Sequence, residues 1–282
     1  MSRLDAHQHF WVFEQKEYGW ISEDMTALRR DFLPADLKRA AEEAGVNGSI
    51  AVQARQTVEE TRWLLELSAQ NDFIQGVVGW VPLADRRVGD VLEEFVQNRK
   101  LRGVRHVLQD EADPCYMLRA DFNTGVRLLE PLGLAYDILI YERHLAQTIQ
   151  FVDRHPAQVF VLDHVAKPRV ASHELSPWRE HLRELAKRDN VYCKLSGLIT
   201  EAEHGNWTEA DLVPYLEIAL ETFGPGRLMF GSDWPVVLLG ARYGEWVSVV
   251  ERAVQRLSEA ERQRIWSGTA QEAYRLPWHA SL

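Results

Sequence analysis

Leu4-Asp5-Ala6-His7-Gln8-His9-Phe10-Trp11 is the first strand-like run of the chain. Side chains alternate between the two faces of a β-strand, so we expect Asp5, His7 and His9 to point the same way. Two imidazoles at positions i and i+2 can bind one metal ion, or can together polarise one substrate oxygen. A lone His-x-His is a weak motif, so its meaning depends on the segments that follow it.

Seven more apolar runs follow the first, each bounded by polar or turn-forming residues. They span residues 48–55, 74–81, 101–108, 135–141, 159–164, 191–196 and 227–233. Helical periodicity lies between and after them, in segments 34–45, 57–67, 86–99, 120–132, 143–155, 176–189, 208–223, 242–257 and 258–266. Most of the runs are continuously apolar, which is typical of strands buried on both faces of a parallel sheet. Eight such strands alternating with helices predict an α/β protein, a (β/α)8 TIM barrel.

A doubly wound open sheet is the alternative fold. It usually has fewer strands and a glycine-rich phosphate-binding turn after the first strand, and no G-x-G-x-x-G follows Trp11. Residues 11–33 instead form a long aromatic loop. Because no repeat, low-complexity tract or linker marks a second domain, the sequence predicts a single barrel domain over residues 1–282.

Composition limits the partners of the protein. The chain has 42 acidic and 32 basic residues and a formal net charge of −10, which argues against nucleic acid and anionic membrane surfaces. Two cysteines, Cys115 and Cys193, make a disulfide framework improbable and fit a reducing compartment. The sequence has neither a signal peptide nor an apolar stretch of about 18 residues. We expect a soluble, cytoplasmic protein that acts on a small molecule; its oligomeric state stays open.

Ionisable and polar residues collect at the ends of the predicted strands, where a parallel barrel carries its chemistry. Alone, each has a structural explanation, such as a hydrogen-bonded rim histidine or a helix cap. Together they indicate a functional site, because burying so many ionisable groups is costly in free energy unless they have partners. They are His7, His9, Gln53, Arg55, Arg105, His106, Gln109, Asp163, His164, Lys194, Ser196 and Asp233.

Five sequence blocks together resemble the amidohydrolase superfamily. The blocks span residues 5–11, 103–111, 162–168, 193–198 and 230–235. The similarity is greatest to the lactonase branch, which includes L-fuconolactone and L-rhamnonolactone hydrolases and pyrone-dicarboxylate lactonases. It covers essentially the whole chain, and it implies a (β/α)8 barrel with His-x-His on strand one, a histidine on strand six and a catalytic aspartate on strand eight. The expected activity is hydrolysis of a sugar (aldono) lactone, L-fuconolactone or a similar L-sugar lactone.

The resemblance also implies roles for individual residues. Asp233 is the expected general base that takes a proton from water, and His164 and His106 complete the catalytic set. His7 and His9, together with His164 or Asp233, are the expected metal ligands. The expected substrate-binding residues are Trp11, Gln53, Arg55, Arg105 and Lys194.

This sequence departs from the two-metal members of the superfamily. Those members carry a bridging Lys or Glu on strand four and a metal-binding histidine on strand five. Here the fifth run has no histidine, and the fourth offers Arg105 or His106, neither of which can bridge two metals. One divalent ion, with zinc as the first choice, and metal-free catalysis both stay open. The alternative functions are a metal-dependent decarboxylase of the related barrel type, a pyrone-dicarboxylate-type lactonase, and a binding protein on a degenerate barrel.

Overall fold

Eight parallel strands form a ring in chain order in the computed structural model, which describes residues 2–277. The strands are β1 Leu4–Gln8, β2 Gly48–Val52, β3 Ile74–Gly79, β4 Leu101–Val107, β5 Ala135–Leu139, β6 Phe160–Leu162, β7 Val191–Leu195 and β8 Leu228–Phe230. Backbone hydrogen bonds close the ring between its first and last members: Asp233 N donates to His7 O (2.8 Å), and His9 N donates to Trp234 O (2.7 Å). The predicted (β/α)8 barrel is confirmed.

Helices follow the strands on the outside of the ring. They are α1 Pro34–Glu43, α2 Val58–Gln70, α3 Val88–Phe95, α4 Ala120–Val126, α5 Leu145–Asp153, α6 Trp178–Leu185, α7 Glu209–Phe223, α8 Tyr243–Val254, α9 Glu259–Gln263 and α10 Thr269–Ala273. Side chains cap two of these helices at their N-termini, since Thr57 Oγ1 accepts a hydrogen bond from Glu60 N and Ser258 Oγ accepts one from Glu261 N. Every observed strand ends one to three residues before its predicted C-terminal end. The residues beyond these ends form the loops of the site.

Two apolar layers stabilise the barrel. The larger layer lies between the strands and the helices. The smaller layer fills the inside of the ring, where α10 and Tyr274 pack with it. Its strand residues are Leu4, Ala6, Ile50, Val52, Val78, Ala135, Val161 and Met229.

The side chains of the first strand do not alternate regularly between the inside and the outside of the barrel. Its register against β2 shifts between Asp5 and Gln8, which marks a β-bulge. Leu4 and Ala6 belong to the inner apolar layer, so Asp5 between them faces outward.

The contacts of Asp5 agree with an outward position. Its carboxylate accepts hydrogen bonds from Tyr243 Oη on α8 (3.1 Å) and from the backbone N–H of Ser232 (2.8 Å). The expectation that Asp5 shares a face with His7 and His9 is therefore wrong. The bulge reverses the alternation after Ala6 and turns His7 into the barrel.

None of the helices within residues 2–277 is both long and apolar enough to cross a membrane. Cys115 is exposed and Cys193 is buried, and both are free thiols. The predicted domain of residues 1–282 includes Met1 and residues 278–282, which lie outside the described part of the chain.

Candidate active site

Three histidines and one aspartate converge at the C-terminal end of the barrel. His7 Nε2 and His9 Nε2 are 3.1 Å apart. Asp233 Oδ1 lies 3.3 Å from His9 Nε2, 3.7 Å from His7 Nε2 and 3.9 Å from His164 Nε2. All four side chains are buried. The structure thus brings together the residues at the ends of β1, β6 and β8 that the sequence predicts to share a site.

Two of these four residues, His164 and Asp233, have a left-handed backbone conformation. His164 and the three residues after it have φ between +47° and +61°, and Asp233 has a φ of +58°. Such angles cost about 1–2 kcal/mol for each non-glycine residue. Hydrogen bonds hold the first turn in place, from Lys167 N to His164 O and from Trp178 Nε1 to Val165 O, both 2.8 Å long. Backbone strain of this kind is concentrated at functional sites.

Two glycines make room for the imidazole rings. A Cβ at Gly197, whose φ is +69°, would lie 2.6 Å from Cγ of His164. A Cβ at Gly231 would lie 2.8 Å from Cβ of His7. These distances are far below an ordinary carbon contact of about 3.5–4.0 Å, so both positions require the absence of a side chain.

Hydrogen bonds to the second ring nitrogen orient two of the histidines. His9 Nδ1 lies 2.8 Å from Val52 O, and because a carbonyl oxygen can only accept, His9 Nδ1 carries the proton. His164 Nδ1 lies 2.8 Å from Ser196 Oγ. Both contacts leave Nε2 directed at the centre of the cluster, as outer contacts do for metal-ligating histidines.

The surroundings set the charges of the cluster. Burial lowers the pKa of His164 to about 4, even though Asp233 opposes the change. Burial also lowers the pKa of His7 well below its ordinary value, and the positive charge of Lys194 adds to this effect. Burial would raise the pKa of Asp233, but the neighbouring imidazoles of His164 and His9 outweigh it and hold that pKa well below its usual range. At neutral pH the carboxylate of Asp233 therefore faces the uncharged imidazoles of His7 and His164.

The same atoms have the geometry of a divalent metal site. His7, His164 and Asp233 each offer one ligand atom, and these atoms lie within 4.8 Å of one another. Zinc bonds of about 2.0–2.1 Å in a tetrahedral site place ligand atoms about 3.3 Å apart. Asp233 Oδ1 lies 3.7 Å from His7 Nε2 and 3.9 Å from His164 Nε2, within about 0.6 Å of that value. These three residues therefore fit one such ion, and a ligand role for His9 stays a prediction.

A second site of the two-metal type does not fit. Strand β5, Ala135–Leu139, carries Asp137 and no histidine. Arg105 on β4 is a cation that donates to Gln53 and Asp163. This arrangement agrees with the departure from the two-metal pattern seen in the sequence.

A fully buried ionic network lies directly beneath the cluster. Lys194 Nζ is 2.6 Å from Asp137 Oδ2, 2.9 Å from Asp163 Oδ1 and 3.0 Å from His7 Nδ1. Arg105 Nη1 lies 3.0 Å from Asp163 Oδ2. Burial would raise the pKa of Asp163, but the charge of Lys194 and the contact with the His7 ring outweigh it and hold that pKa well below its usual range.

Sequence reasoning missed two members of this network. Asp137 is the one acidic residue in the apolar run 135–141, and that isolated charge was the available signal. Tyr274 follows α10 and donates its hydroxyl proton to Asp137, with oxygen–oxygen distances of 2.8 and 2.9 Å. Nothing in the sequence near Tyr274 indicates that it reaches the inside of the barrel.

The structure places the predicted substrate-binding residues at different depths. Trp11 is fully buried and donates its indole N–H to Arg30 O (2.9 Å). Lys194 and Arg105 are also buried, in the ionic network below the cluster. Gln53 Oε1 accepts from Arg105 Nη2 (2.8 Å), whereas Gln53 Nε2 has no hydrogen-bond partner among the described residues.

Arg55 lies nearer to the surface than the other four. Its guanidinium forms an ion pair with Glu17 of the long first loop and lies 3.7 Å from Glu60 Oε1. Glu60 also accepts the backbone N–H groups of Ala54 and Arg55, which holds the end of β2 in place.

His106 lies in a separate aromatic contact. Trp80 Nε1 donates to His106 Nδ1 (3.3 Å), and His106 Nε2 lies 2.6 Å from Glu111 Oε1. The ring stacks on Tyr116 with a centroid distance of 5.0 Å. No hydrogen bond or ion pair within residues 2–277 joins His106 to Asp233, and its catalytic role stays a prediction.

A further polar pair beside the cluster was not identified in the sequence. Lys167 Nζ lies 3.9 Å from Glu201 Oε1, and both side chains are partly exposed. Burial raises the pKa of Glu201, Lys167 counteracts this effect, and the negative charge of Asp233 adds to it. Lys167 Nζ also lies 5.3 Å from the centre of the Tyr141 ring. A single sequence has no pattern that pairs the loop after β6 with the loop after β7.

The fold and the site together define a class of protein. A family model described as amidohydrolase matches residues 4–276. The chain belongs to the amidohydrolase family.

Particular relatives are similar over nearly their whole length. The chain is 46% identical to an L-fucono-1,5-lactonase of Burkholderia multivorans, covering 98% of this chain and 96% of that protein. It is 36% identical to an L-fucono-1,5-lactonase of Burkholderia ambifaria, covering 97% and 96%. A crystal structure of an amidohydrolase from Burkholderia multivorans with bound zinc has a TM-score of 0.94 at 45% identity, covering 98% of this chain and all of that one.

More distant structures share the fold alone. Solved dicarboxylic acid hydrolases and decarboxylases have TM-scores between 0.68 and 0.80 at 14–21% identity.

Proposed function

We propose that this protein hydrolyses the ring ester of a sugar lactone, of the L-fucono-1,5-lactone kind, to the open-chain sugar acid. The observation that carries the proposal is the ionised carboxylate of Asp233 within 3.9 Å of three imidazole nitrogens, those of His7, His9 and His164. The two relatives that are 46% and 36% identical bear the name of this activity. Ester hydrolysis needs a proton acceptor for water and hydrogen-bond donors or a cation for the developing oxyanion. Asp233 is the proton acceptor here, and the imidazole N–H groups are the donors.

Asp233 is the proposed general base. It accepts a proton from a water molecule while the water oxygen attacks the lactone carbonyl carbon. When the tetrahedral intermediate collapses, the bond from that carbon to the ring oxygen breaks. The proton held by Asp233 then passes to the ring oxygen as it becomes a free hydroxyl. Water is thus added across one ester bond, and the carboxylate of Asp233 is regenerated.

We infer that His7, His164 and Asp233 can hold one divalent ion, zinc in the first instance. The support is the spacing of their ligand atoms and the zinc in the related amidohydrolase structure. Such an ion, when bound, polarises a carbonyl oxygen as a Lewis acid. Without one, N–H groups of the histidines would donate to the same oxygen. Both routes stay in the proposal until the metal content is measured.

The sugar hydroxyls would meet polar groups around the cluster. Gln53 Nε2 is a buried donor without a partner among the described residues, and Arg55 lies closer to the solvent. Lys167 and Glu201 are a partly exposed pair near Asp233. A carboxylate accepts hydrogen bonds from hydroxyls and an ammonium donates them, so this pair suits a polyhydroxy ligand.

The alternative functions are less well supported. Decarboxylases and pyrone-dicarboxylate hydrolases resemble this chain only at 14–21% identity, a likeness that extends to the fold. A degenerate binding protein would have no need for an ionised aspartate between histidines at this spacing. The two free thiols, Cys115 and Cys193, support the proposal that the protein acts in the cytoplasm.

The test is a pH-indicator assay over L- and D-sugar lactones, performed on enzyme as purified and on chelator-treated enzyme. Asp233→Asn is expected to reduce kcat by about 100- to 10,000-fold, which is the range for loss of a general base. Asp153→Asn is the matched control, because Asp153 pairs with Arg188 on the surface far from the cluster. No hydrolysis of any lactone by the folded wild-type enzyme, or near-normal rates for Asp233→Asn, would refute the proposal.

A further inference from the structure

A second cavity, of about 460 Å³, lies at the N-terminal end of the barrel, opposite the cluster of histidines with Asp233. It is bordered by the start of β4, the residues just before β5 and the residues after α10. Its lining consists of arginines and apolar side chains, among them Arg99, Arg102, Arg275, Leu132, Leu134 and Leu276. Among residues 2–277, no aspartate or glutamate lines this cavity.

The charge of the cavity is therefore positive in a protein whose net charge is −10. Within the part of the chain that the structure describes, none of its three arginines forms an ion pair. Glu272, the acidic residue nearest to Arg275 in the sequence, is paired with Arg264 instead (2.6 Å). Burial and the neighbouring charge of Arg99 lower the pKa of Arg102, as expected for cations without a nearby counter-ion.

Contacts with the backbone hold two of the guanidinium groups in place. Arg102 Nη1 donates a hydrogen bond to Arg275 O (3.0 Å). The guanidinium of Arg275 lies against Gly133, where an added Cβ would be 2.5 Å from Arg275 Nη1. The φ of Arg275 is +49°, which is unfavourable for a residue with a side chain. The fold thus places two cations side by side at a backbone strain of the kind that is concentrated at functional sites.

We propose that this cavity binds a small organic phosphate, a phosphate monoester with an apolar part. A guanidinium group presents its N–H donors in a planar fork that matches two oxygen atoms of a phosphate. A phosphate monoester carries nearly two negative charges at neutral pH, whereas a carboxylate carries one against the three cations. The leucine side chains can contact the carbon atoms of the ligand, and the volume lies in the range of about 300–1,000 Å³ typical of small-molecule sites.

The site is separate from the catalytic cluster, so the inference does not rest on the proposed function. Phosphate binding can be measured whether or not the protein hydrolyses a lactone. Loss of one proposal therefore leaves the other intact.

The first experiment is calorimetric titration of the full-length protein with phenyl phosphate, inorganic phosphate and benzoate. Chelator-treated protein is used, because phosphate also binds divalent ions. Phenyl phosphate is expected to bind one to one. Inorganic phosphate lacks the apolar part and benzoate lacks the second charge, so each should bind about tenfold more weakly. No saturable binding of phenyl phosphate, or equally tight binding of either other anion, would overturn the proposal.

The second experiment locates the binding site with charge-removing variants. Arg275→Gln and Arg99→Gln should each weaken phenyl phosphate binding about 10- to 100-fold, through loss of charge-assisted hydrogen bonds. Arg256→Gln is the matched control, because Arg256 is exposed, lies after α8 and does not line the cavity. It removes the same charge and should leave the affinity unchanged. Wild-type affinity in both cavity variants, or an equal loss in the control, would contradict the proposal.

A third measurement uses the wild-type protein and does not depend on the folding of any variant. Amide hydrogen exchange should slow in residues 96–102 and 273–277 when phenyl phosphate is added, because bound ligand opposes local opening of these segments. The loops that carry His164 and Asp233 should exchange at an unchanged rate. Slowing confined to those loops would place the ligand in the catalytic cluster and refute the inference.

Discussion

Replacing Gly197 by alanine should greatly reduce kcat while the protein remains folded. A Cβ at this position would lie 2.6 Å from His164 Cγ, whereas carbon atoms in contact stand about 3.5–4.0 Å apart. The imidazole of His164 must therefore move by about 1 Å. Displacement of a catalytic group by that distance costs about 100-fold in rate, which is the loss of kcat that we expect.

The same change has a backbone cost that must be measured separately. The φ of Gly197 is +69°, and alanine in the left-handed region is unfavourable by about 1–2 kcal/mol. Gly205→Ala is the matched control, because Gly205 has a φ of +81° and nothing within 4 Å of an added Cβ. Urea unfolding should detect a similar loss in both variants, with some additional loss in Gly197→Ala from the displaced ring.

Lactone hydrolysis then distinguishes the two variants. Gly205→Ala should keep kcat near the wild-type value, and Gly197→Ala should lose about 100-fold while it remains folded. The reasoning is refuted if folded Gly197→Ala retains kcat within threefold of the wild type, or if Gly205→Ala loses as much activity.

Three further predictions concern substrate contact, metal binding and pH. Glu201→Gln should raise KM about tenfold with a smaller effect on kcat, because it replaces a charged hydrogen bond of about 1.5–3 kcal/mol by a neutral one of about 0.5–1.5 kcal/mol; equal KM values for the two proteins would exclude this contact. Zinc at 100 times its Kd should stabilise the wild type by about 2.7 kcal/mol in thermal unfolding, and His164→Asn should lose most of this gain. Burial and the charges of Arg127 and Arg154 lower the pKa of His155 to about 4. The unfolded chain, with a His pKa of about 6.5, then binds the extra proton first, so stability should fall as pH drops from about 6.5 to 4. His155→Gln should be less sensitive over that range in urea unfolding, and identical pH slopes would contradict the assignment.

The fold and the main residues of the site were predictable, because the order of the strands determines which residues come together at the end of the barrel. In a parallel barrel every strand ends at the same face, so His7, His164 and Asp233 must meet there although they are far apart in sequence. The bulge in β1 was not predictable, since the residues Leu4–Gln8 alternate as well in one register as in the other. The partners of the outward-facing Asp5 are Tyr243 and the backbone N–H of Ser232, which follow more than two hundred residues later.

The depth of each charged residue was the second property that the sequence could not supply. Arg105, Asp137 and Lys194 lie inside their strands, and all three belong to the buried ionic network. His164 and Asp233, in contrast, follow the last residues of β6 and β8. A charged residue before the end of a strand is covered by the loops above it, whereas one after the end can reach a ligand.

His7 contacts both the buried ionic network and the cluster of histidines with Asp233. It lies one position before the end of β1, so its Nδ1 faces the buried network and its Nε2 faces the cluster. The side chain of His9, one position after that end, contacts the cluster and the carbonyl of Val52. The His-x-His motif therefore has two unlike members. The first couples the ionic network to the site, and the second completes the site itself, so substitutions at the two positions should differ in their effect on metal affinity.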